Sequence, residues 1–76
     1  MTQPLTLIVD DEPDIRELLE ITLNRMNIDT LSADDISSAK KLLTQHNFDL
    51  CLTDMKLPDG DGLDLVDYIQ QSSPPI

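Results

Sequence analysis

The chain has 76 residues, one cysteine and a formal net charge of −10, from 15 acidic and five basic residues. This length predicts one small domain, and a single cysteine excludes an internal disulfide and favours a reducing cytoplasm. The acidic charge argues against direct binding to nucleic acid or to an anionic membrane surface, and no apolar run approaches the roughly 20 residues of a membrane span.

The first predicted unit is a buried strand followed by a helix. Residues 5–9 (LTLIV) are apolar with almost no polar alternation, which is typical of a strand covered on both faces of a parallel sheet. Pro13 suits the first position of a helix. A helix is predicted over residues 13–26, where apolar residues recur at helical spacing (Ile15, Leu18, Leu19, Leu23 and Met26). Asn27 suits the left-handed conformation that ends a helix.

The second unit has a weaker strand and a second amphipathic helix. Residues 28–32 (IDTLS) form a short alternating run, which predicts an edge strand. Asp34 is expected to cap the following helix. The buried stripe of that helix is predicted to contain Ile36, Ala39, Leu42 and Leu43, and its end is predicted at His46 and Asn47.

The third unit contains a second apolar run that ends on an acid. Residues 48–53 (FDLCLT) predict a third strand, which is followed by Asp54. The segment 55–62 is rich in proline, glycine and aspartate and is expected to be an irregular loop. A third helix is predicted over residues 63–71, followed by a loop over residues 72–76.

Acidic residues follow two of these strands: Asp10 and Asp11 follow the first, and Asp54 follows the third. Three strand–helix units predict a parallel sheet with right-handed crossovers, in which ligands bind beyond the carboxyl ends of the strands. With the strand order 2-1-3, the three carboxylates share one pocket. Carboxylates this close repel one another unless a cation intervenes. Mg²⁺ suits such a site, and a carboxylate beside it can attack phosphorus.

Three other interpretations of these acids remain open. Asp54 could cap the loop that follows it, and Asp10 and Asp11 could cap the first helix, whose N-terminus favours negative charge. A phosphatase with an aspartate nucleophile would also carry an acid after a strand and bind Mg²⁺. Such enzymes usually have a second aspartate two residues after the nucleophile, where this chain has Lys56, which argues against a phosphatase.

The loop after Asp54 carries Pro58 four residues later and Gly62 eight residues later. Together with Asp10 and Asp11, this pattern resembles the receiver domain of bacterial two-component response regulators. The segment DMKLPDGDGL is similar to receivers of the nitrogen-regulator class, which precede an ATPase and a DNA-binding domain in transcriptional activators. The resemblance covers the whole chain and implies a flavodoxin-like (CheY-like) α/β fold with a parallel sheet in the order 2-1-3.

The resemblance also implies a role for each residue of the motif. Asp54 is expected to accept a phosphoryl group from a sensor histidine kinase. Asp11 is expected to ligate Mg²⁺ directly and Asp10 largely through water, while the backbone carbonyl of Lys56 completes the ligands together with Asp54. A receiver of this kind assists its own phosphorylation and is not a free-standing enzyme.

Receivers of this class have five strands and five helices, whereas this sequence predicts three of each. Their Ser or Thr at the end of strand four and Lys at the end of strand five have no counterparts here, so residues 1–76 are expected to be a truncated receiver with impaired phosphorylation. The outer edge of the third strand, at residues 50–53, then lacks a partner and predicts self-association. The alternative function is an interaction or dimerisation module without phosphorylation.

Overall fold

The computed structural model describes residues 3–71 and consists of a parallel sheet, three helices and a short hairpin. The elements are, in chain order, β1 (Leu5–Val9), α1 (Pro13–Arg25), β2 (Asp29–Ala33), α2 (Ile36–Gln45), β3 (Leu50–Thr53), β4 (Lys56–Leu57), β5 (Gly60–Asp61) and α3 (Gly62–Gln71). The loop predicted for residues 72–76 lies outside the described residues. None of the helices in the described part is both long and apolar enough to cross a membrane.

The sheet has the predicted strand order. Strand β1 lies in the centre and pairs in parallel with β2 on one side and β3 on the other. Val9, the last residue of β1, lies opposite Ala33 and opposite Thr53, so all three strands end at the same level. This register places the residues that follow β1 and β3 at one edge of the sheet.

The apolar run of β1 supplies the middle of the core. Leu7 and Val9 belong to a buried cluster with residues of α2 and α3, including Ile36, Leu65 and Ile69. Thr6 and Ile8 alternate onto the opposite face of the strand and are also buried, and α1 contacts β1 and β2. A strand covered on both faces has no exposed face on which polar residues could alternate, which accounts for the LTLIV pattern with Thr6 as its one polar residue.

Helix α1 is the most exposed of the three helices. It has no fully buried residue, and Leu18 and Met26 are 60% and 62% exposed. The helix ends at Arg25, one residue before the predicted end, and Asn27 follows with the left-handed φ of 61° that was predicted. The apolar stripe of α1 is therefore only partly covered by the sheet.

The start of α2 corrects one prediction. The capping residue is Asp35 and not Asp34, since the Asp35 carboxylate accepts a hydrogen bond from the backbone N–H of Ser38 at 2.7 Å. A capping side chain reaches the N–H three residues later, so an acid at position 34 is one residue too early for a helix that begins at Ile36.

Two further predictions on the third unit were wrong. Strand β3 begins at Leu50 and not at residue 48, because Phe48 turns into the core and its ring meets His46 edge to face at 6.0 Å. The segment after Asp54 is not wholly irregular, since β4 and β5 pair as an antiparallel hairpin around Pro58 and Asp59. Strands of two residues are too short to leave a periodic pattern in the sequence.

Candidate metal centre

The structure brings together the three acids that follow β1 and β3. Asp10, Asp11 and Asp54 each offer a carboxylate oxygen, and these oxygens lie within 4.8 Å of one another. Asp10 is half-buried, whereas Asp11 and Asp54 are exposed. The sheet register explains the cluster, because the backbone N–H of Asp54 donates to the carbonyl of Val9 at 2.9 Å and so continues the β1–β3 pairing by one residue.

The loop between β1 and α1 is held by Asp10. One carboxylate oxygen of Asp10 accepts a hydrogen bond from the N–H of Glu12 at 2.8 Å, and its backbone carbonyl accepts one from the Arg16 guanidinium at 2.7 Å. Glu12 is the residue that precedes α1, and the helix begins without a side-chain cap. The geometry therefore does not favour the alternative in which Asp10 or Asp11 caps α1.

The backbone of Asp54 is fixed while its side chain remains accessible. The hydroxyl of Thr53 donates to the Asp54 carbonyl at 3.0 Å, and the N–H of Gly62 donates to the carbonyl of Met55 at 2.8 Å. No hydrogen-bond donor among residues 3–71 contacts the Asp54 carboxylate. This side chain consequently does not cap the loop after it and is free to meet a ligand.

Lys56, the predicted source of a main-chain ligand, lies two residues beyond Asp54 in β4 and opposite Asp61 of β5. Its backbone position is thus set by the hairpin. The role of its carbonyl as a ligand stays a prediction, as do the metal-binding roles of the three acids.

Sequence reasoning missed two charged residues near this site. Arg16 lies in the first turn of α1, where a positive charge is unfavourable because of the helix dipole. This unfavourable position could have indicated from the sequence that Arg16 has a specific contact. Asp59 accepts hydrogen bonds from the backbone N–H groups of Ile36 at 2.8 Å and Ser37 at 3.0 Å. Nothing local indicates this contact, because its partners are 23 and 22 residues away.

The Asp59 contact makes a pH-dependent prediction. The backbone N–H groups of Ile36 and Ser37 stabilise the charged carboxylate and lower the pKa of Asp59 below its ordinary 3.8. Because the folded-state pKa is lowered, the contribution to stability is complete above pH 3.8 and is lost as the pH falls through the lowered value. We expect an NMR titration of the Asp59 carboxyl carbon to give a midpoint below 3.8.

The control for this titration is Asp59→Asn, in which the acid-induced shifts of the Ile36 and Ser37 amide signals should disappear. A midpoint for Asp59 at or above 3.8 would contradict the contact.

Strands and helices alternate along the chain, the sheet is parallel, and the acids are grouped beyond two neighbouring strands. These features define a doubly wound domain whose site lies where the winding reverses. Residues 6–76 match the response regulator receiver domain family, and this chain belongs to that family. The family and the CheY-like fold predicted from the sequence are therefore confirmed.

Three proteins illustrate the similarity. The response regulator protein PilR of Pseudomonas aeruginosa is 66% identical over 74 residues, which are 97% of this chain and 17% of PilR. The chemotaxis response regulator CheY4 of Vibrio cholerae has a TM-score of 0.91 at 26% identity, over 95% of this chain and 60% of that one.

The third protein is the response regulator TrrA of Thermotoga maritima, solved in two states. With Mg²⁺ and BeF its TM-score is 0.86 at 33% identity, over 91% of this chain and 60% of TrrA. In complex with the histidine kinase ThkA the TM-score is 0.87 at 31% identity, over 96% of this chain and 64% of that one. The chain thus spans less than two thirds of the length of each of these relatives.

Proposed function

We propose that this chain is a phosphoacceptor module of a bacterial two-component system, which takes a phosphoryl group from a sensor histidine kinase on Asp54 with the help of Mg²⁺. The single observation that supports this function is the cluster of Asp10, Asp11 and Asp54 at one edge of the sheet, with the Asp54 carboxylate exposed. A nucleophile must be accessible to its phosphodonor. The Asp54 carboxylate meets this condition because it accepts no hydrogen bond from any group among residues 3–71.

The donor set fits Mg²⁺, which prefers oxygen ligands at about 2.0–2.1 Å in an octahedral arrangement. The three carboxylates lie within 4.8 Å of one another and two of them are exposed, which suits an ion that keeps several of its waters and takes only one or two carboxylates. Asp10, Asp11, Asp54 and the main-chain carbonyl of Lys56 would hold the ion. When bound, Mg²⁺ supplies charge neutralisation for the carboxylates and for the incoming phosphoryl group.

The residues of this chain would act as follows in the transfer. A carboxylate oxygen of Asp54 forms a bond to phosphorus as the phosphorus–nitrogen bond of a phosphohistidine breaks. The electron pair of the broken bond stays on the imidazole nitrogen of the donor, which takes up a proton. The chain's part is therefore to position Asp54 and to leave its carboxylate accessible.

The partners follow from this chemistry. TrrA, a similar response regulator, was solved with the histidine kinase ThkA, which supports a kinase as the phosphodonor. We propose an ATPase and a DNA-binding domain of a transcriptional activator as the output, and the cytoplasm as the location, where an unpaired cysteine such as Cys51 normally stays reduced.

Because the family's Ser or Thr and Lys have no counterparts in this sequence, we expect these 76 residues alone to react slowly.

A small-molecule phosphodonor tests the proposed function directly. With acetyl phosphate and Mg²⁺, we expect intact-mass spectrometry to show the addition of one phosphoryl group, and peptide mapping to locate it on Asp54. The same incubation with a chelator in place of Mg²⁺ should give no addition. A phosphoryl group found elsewhere, or an addition that does not depend on the metal, would refute the proposal.

One observation favours the second candidate function, an interaction module. Within residues 3–71 no strand pairs with the outer edge of β3, and a groove beside this edge is lined by Leu50, Cys51, Val66, Ile69 and Gln70. Leu50 is 45% exposed. An unpaired apolar edge is a template for another strand, so we propose that two copies of this chain associate through β3.

Analytical ultracentrifugation should show a mass that rises with protein concentration. Leu50→Lys, which adds a charge to the edge, is expected to weaken the association, whereas Leu63→Lys is the matched control on α3 because Leu63 is also exposed (58%). Burial raises the pKa of Cys51 to about 11, so little of this thiol is in the reactive thiolate form at neutral pH. The measurement is made in reductant, so that association cannot arise from a disulfide between two copies. A monomer at every concentration would contradict association through β3.

A further inference from the structure

We propose that Asp59 is a positioning residue for the phosphoacceptor site, a role that rests on the proposed function. Asp59 lies at the turn of the β4–β5 hairpin, five residues beyond Asp54 and three beyond Lys56. Its side chain holds this hairpin against the first turn of α2, and the hairpin in turn sets the backbone that follows Asp54.

The contact between Asp59 and α2 uses both carboxylate oxygens. Oδ1 accepts a hydrogen bond from the N–H of Ile36 at 2.8 Å, and Oδ2 accepts one from the N–H of Ser37 at 3.0 Å. Charge-assisted hydrogen bonds of this kind are stronger than neutral ones. Two bonds from one side chain fix the orientation of the hairpin turn as well as its distance from the helix.

Asp59 does not duplicate the helix's own cap. The first N–H groups of a helix have no partner within the helix. In α2 these groups are divided between two acids: Asp35 takes Ser38 at 2.7 Å, and Asp59 takes Ile36 and Ser37. Asp35 is the residue that precedes the helix, whereas Asp59 lies in the hairpin. This division of the N–H groups allows the two roles, capping α2 and holding the hairpin, to be separated by mutation.

An apolar contact supports the polar one. Gly60, which follows Asp59, has a φ of 153°, and a Cβ atom there would lie 2.8 Å from Cδ1 of Ile36. Leu57 of the hairpin and Ile36 of α2 are both buried in the same core cluster. The hairpin therefore approaches the start of α2 closely at Gly60 and shares the core with it through Leu57.

The other end of the segment is also fixed, by the hydrogen bond from the N–H of Gly62 to the Met55 carbonyl at 2.8 Å. Lys56 lies between these two attachments, and its carbonyl can keep one position relative to Asp54 only while both hold. Releasing Asp59 would free the hairpin turn and leave Asp54, Asp10 and Asp11 in place on the sheet. We therefore expect the loss to fall on ion binding and not on the fold as a whole.

The test compares Asp59→Ala with Asp35→Ala, since each variant removes one carboxylate from the same helix terminus. Mg²⁺ affinity is measured by NMR from the amide shifts of Asp11 and Asp54, and amide hydrogen exchange is measured for Lys56, Leu57 and Gly60. Asp59→Ala should raise the Mg²⁺ dissociation constant about tenfold, the lower end of the range for groups that orient metal ligands. It should also speed exchange in the hairpin.

Asp35→Ala should lower the thermal stability but leave both readouts near those of the unmodified chain. Asp59→Asn, which keeps an acceptor oxygen and the shape of the side chain, should recover part of the loss and serves if Asp59→Ala fails to fold. Equal effects of the Asp59→Ala and Asp35→Ala variants would overturn the positioning role and leave the proposed function intact. If the unmodified chain binds no Mg²⁺, the proposed metal site fails, and unchanged hairpin exchange in Asp59→Ala would still overturn the role of Asp59.

Discussion

Asp54→Asn is expected to abolish phosphoryl acceptance by this chain and to leave its fold intact. An amide is not a nucleophile toward phosphorus under these conditions, and no other acid of the cluster lies at the end of β3. The backbone of residue 54 keeps its bond to the Val9 carbonyl, and the exposed side chain contributes no hydrogen bond within residues 3–71. Removing one of three neighbouring negative charges should if anything raise stability slightly, within the ~0.5 kcal/mol typical of surface changes.

The measurements are mass gain with acetyl phosphate and thermal unfolding with and without Mg²⁺. Binding to the folded state alone stabilises a protein in proportion to the logarithm of ligand concentration, so Mg²⁺ should raise the melting temperature of the unmodified chain more than that of Asp54→Asn. Asp67→Asn makes the same charge change on an exposed residue of α3 and should behave like the unmodified chain. Full phosphorylation of Asp54→Asn would remove Asp54 from the proposed role.

Gly62→Ala is expected to destabilise the fold by about 1–3 kcal/mol, the usual cost of inserting an atom where there is no space. A methyl group on Gly62 would overlap the carbonyl oxygen of Asp54 and would lie 3.1 Å from its carbonyl carbon and 3.2 Å from the Cα of Met55. These are backbone atoms, which cannot rotate away as a side chain would. Relief requires a shift of the chain at Asp54 itself, so Mg²⁺ binding should weaken together with stability.

The sign of this effect makes the prediction sharp. An alanine that replaces glycine in a helix normally adds about 0.5–1 kcal/mol of stability, and Gly62 is the first residue of α3. Chemical denaturation of Gly62→Ala and of Gln70→Ala, an exposed position of the same helix, separates the two expectations. A stabilised Gly62→Ala chain would show that the contact with Asp54 is not restrictive.

The sheet and the meeting of its acids could be predicted because each depends on a strong and local signal. The LTLIV run has almost no polar alternation, which indicates a central parallel strand, and three strand–helix units restrict the connections to right-handed crossovers. Once β1 lies between β2 and β3, Asp10, Asp11 and Asp54 must emerge at one edge. The roles proposed for them came from the family resemblance and not from the geometry.

The parts that could not be predicted depend on contacts between distant residues. Asp59 falls in the segment 55–62, which was expected to be an irregular loop, although its hydrogen bonds come from Ile36 and Ser37 of another element. The hairpin was not predicted because each of its strands has only two residues, which is too short for a periodic pattern. The choice between Asp34 and Asp35 as the cap of α2 depended on the first residue of the helix. Two adjacent acids are both suitable caps, so the sequence leaves this boundary uncertain by one residue.

The central position of β1 also sets the order in which the molecule can be assembled on the ribosome. Leu5 at the start of β1 exchanges hydrogen bonds with Asp49, 44 residues further along, whereas β1 and β2 can pair as soon as residue 33 has emerged. Contacts of long sequence separation form late and slowly. During synthesis Asp10 and Asp11 therefore emerge well before β3, and the carboxylate of Asp54 can join theirs only after residues 50–53 have been made.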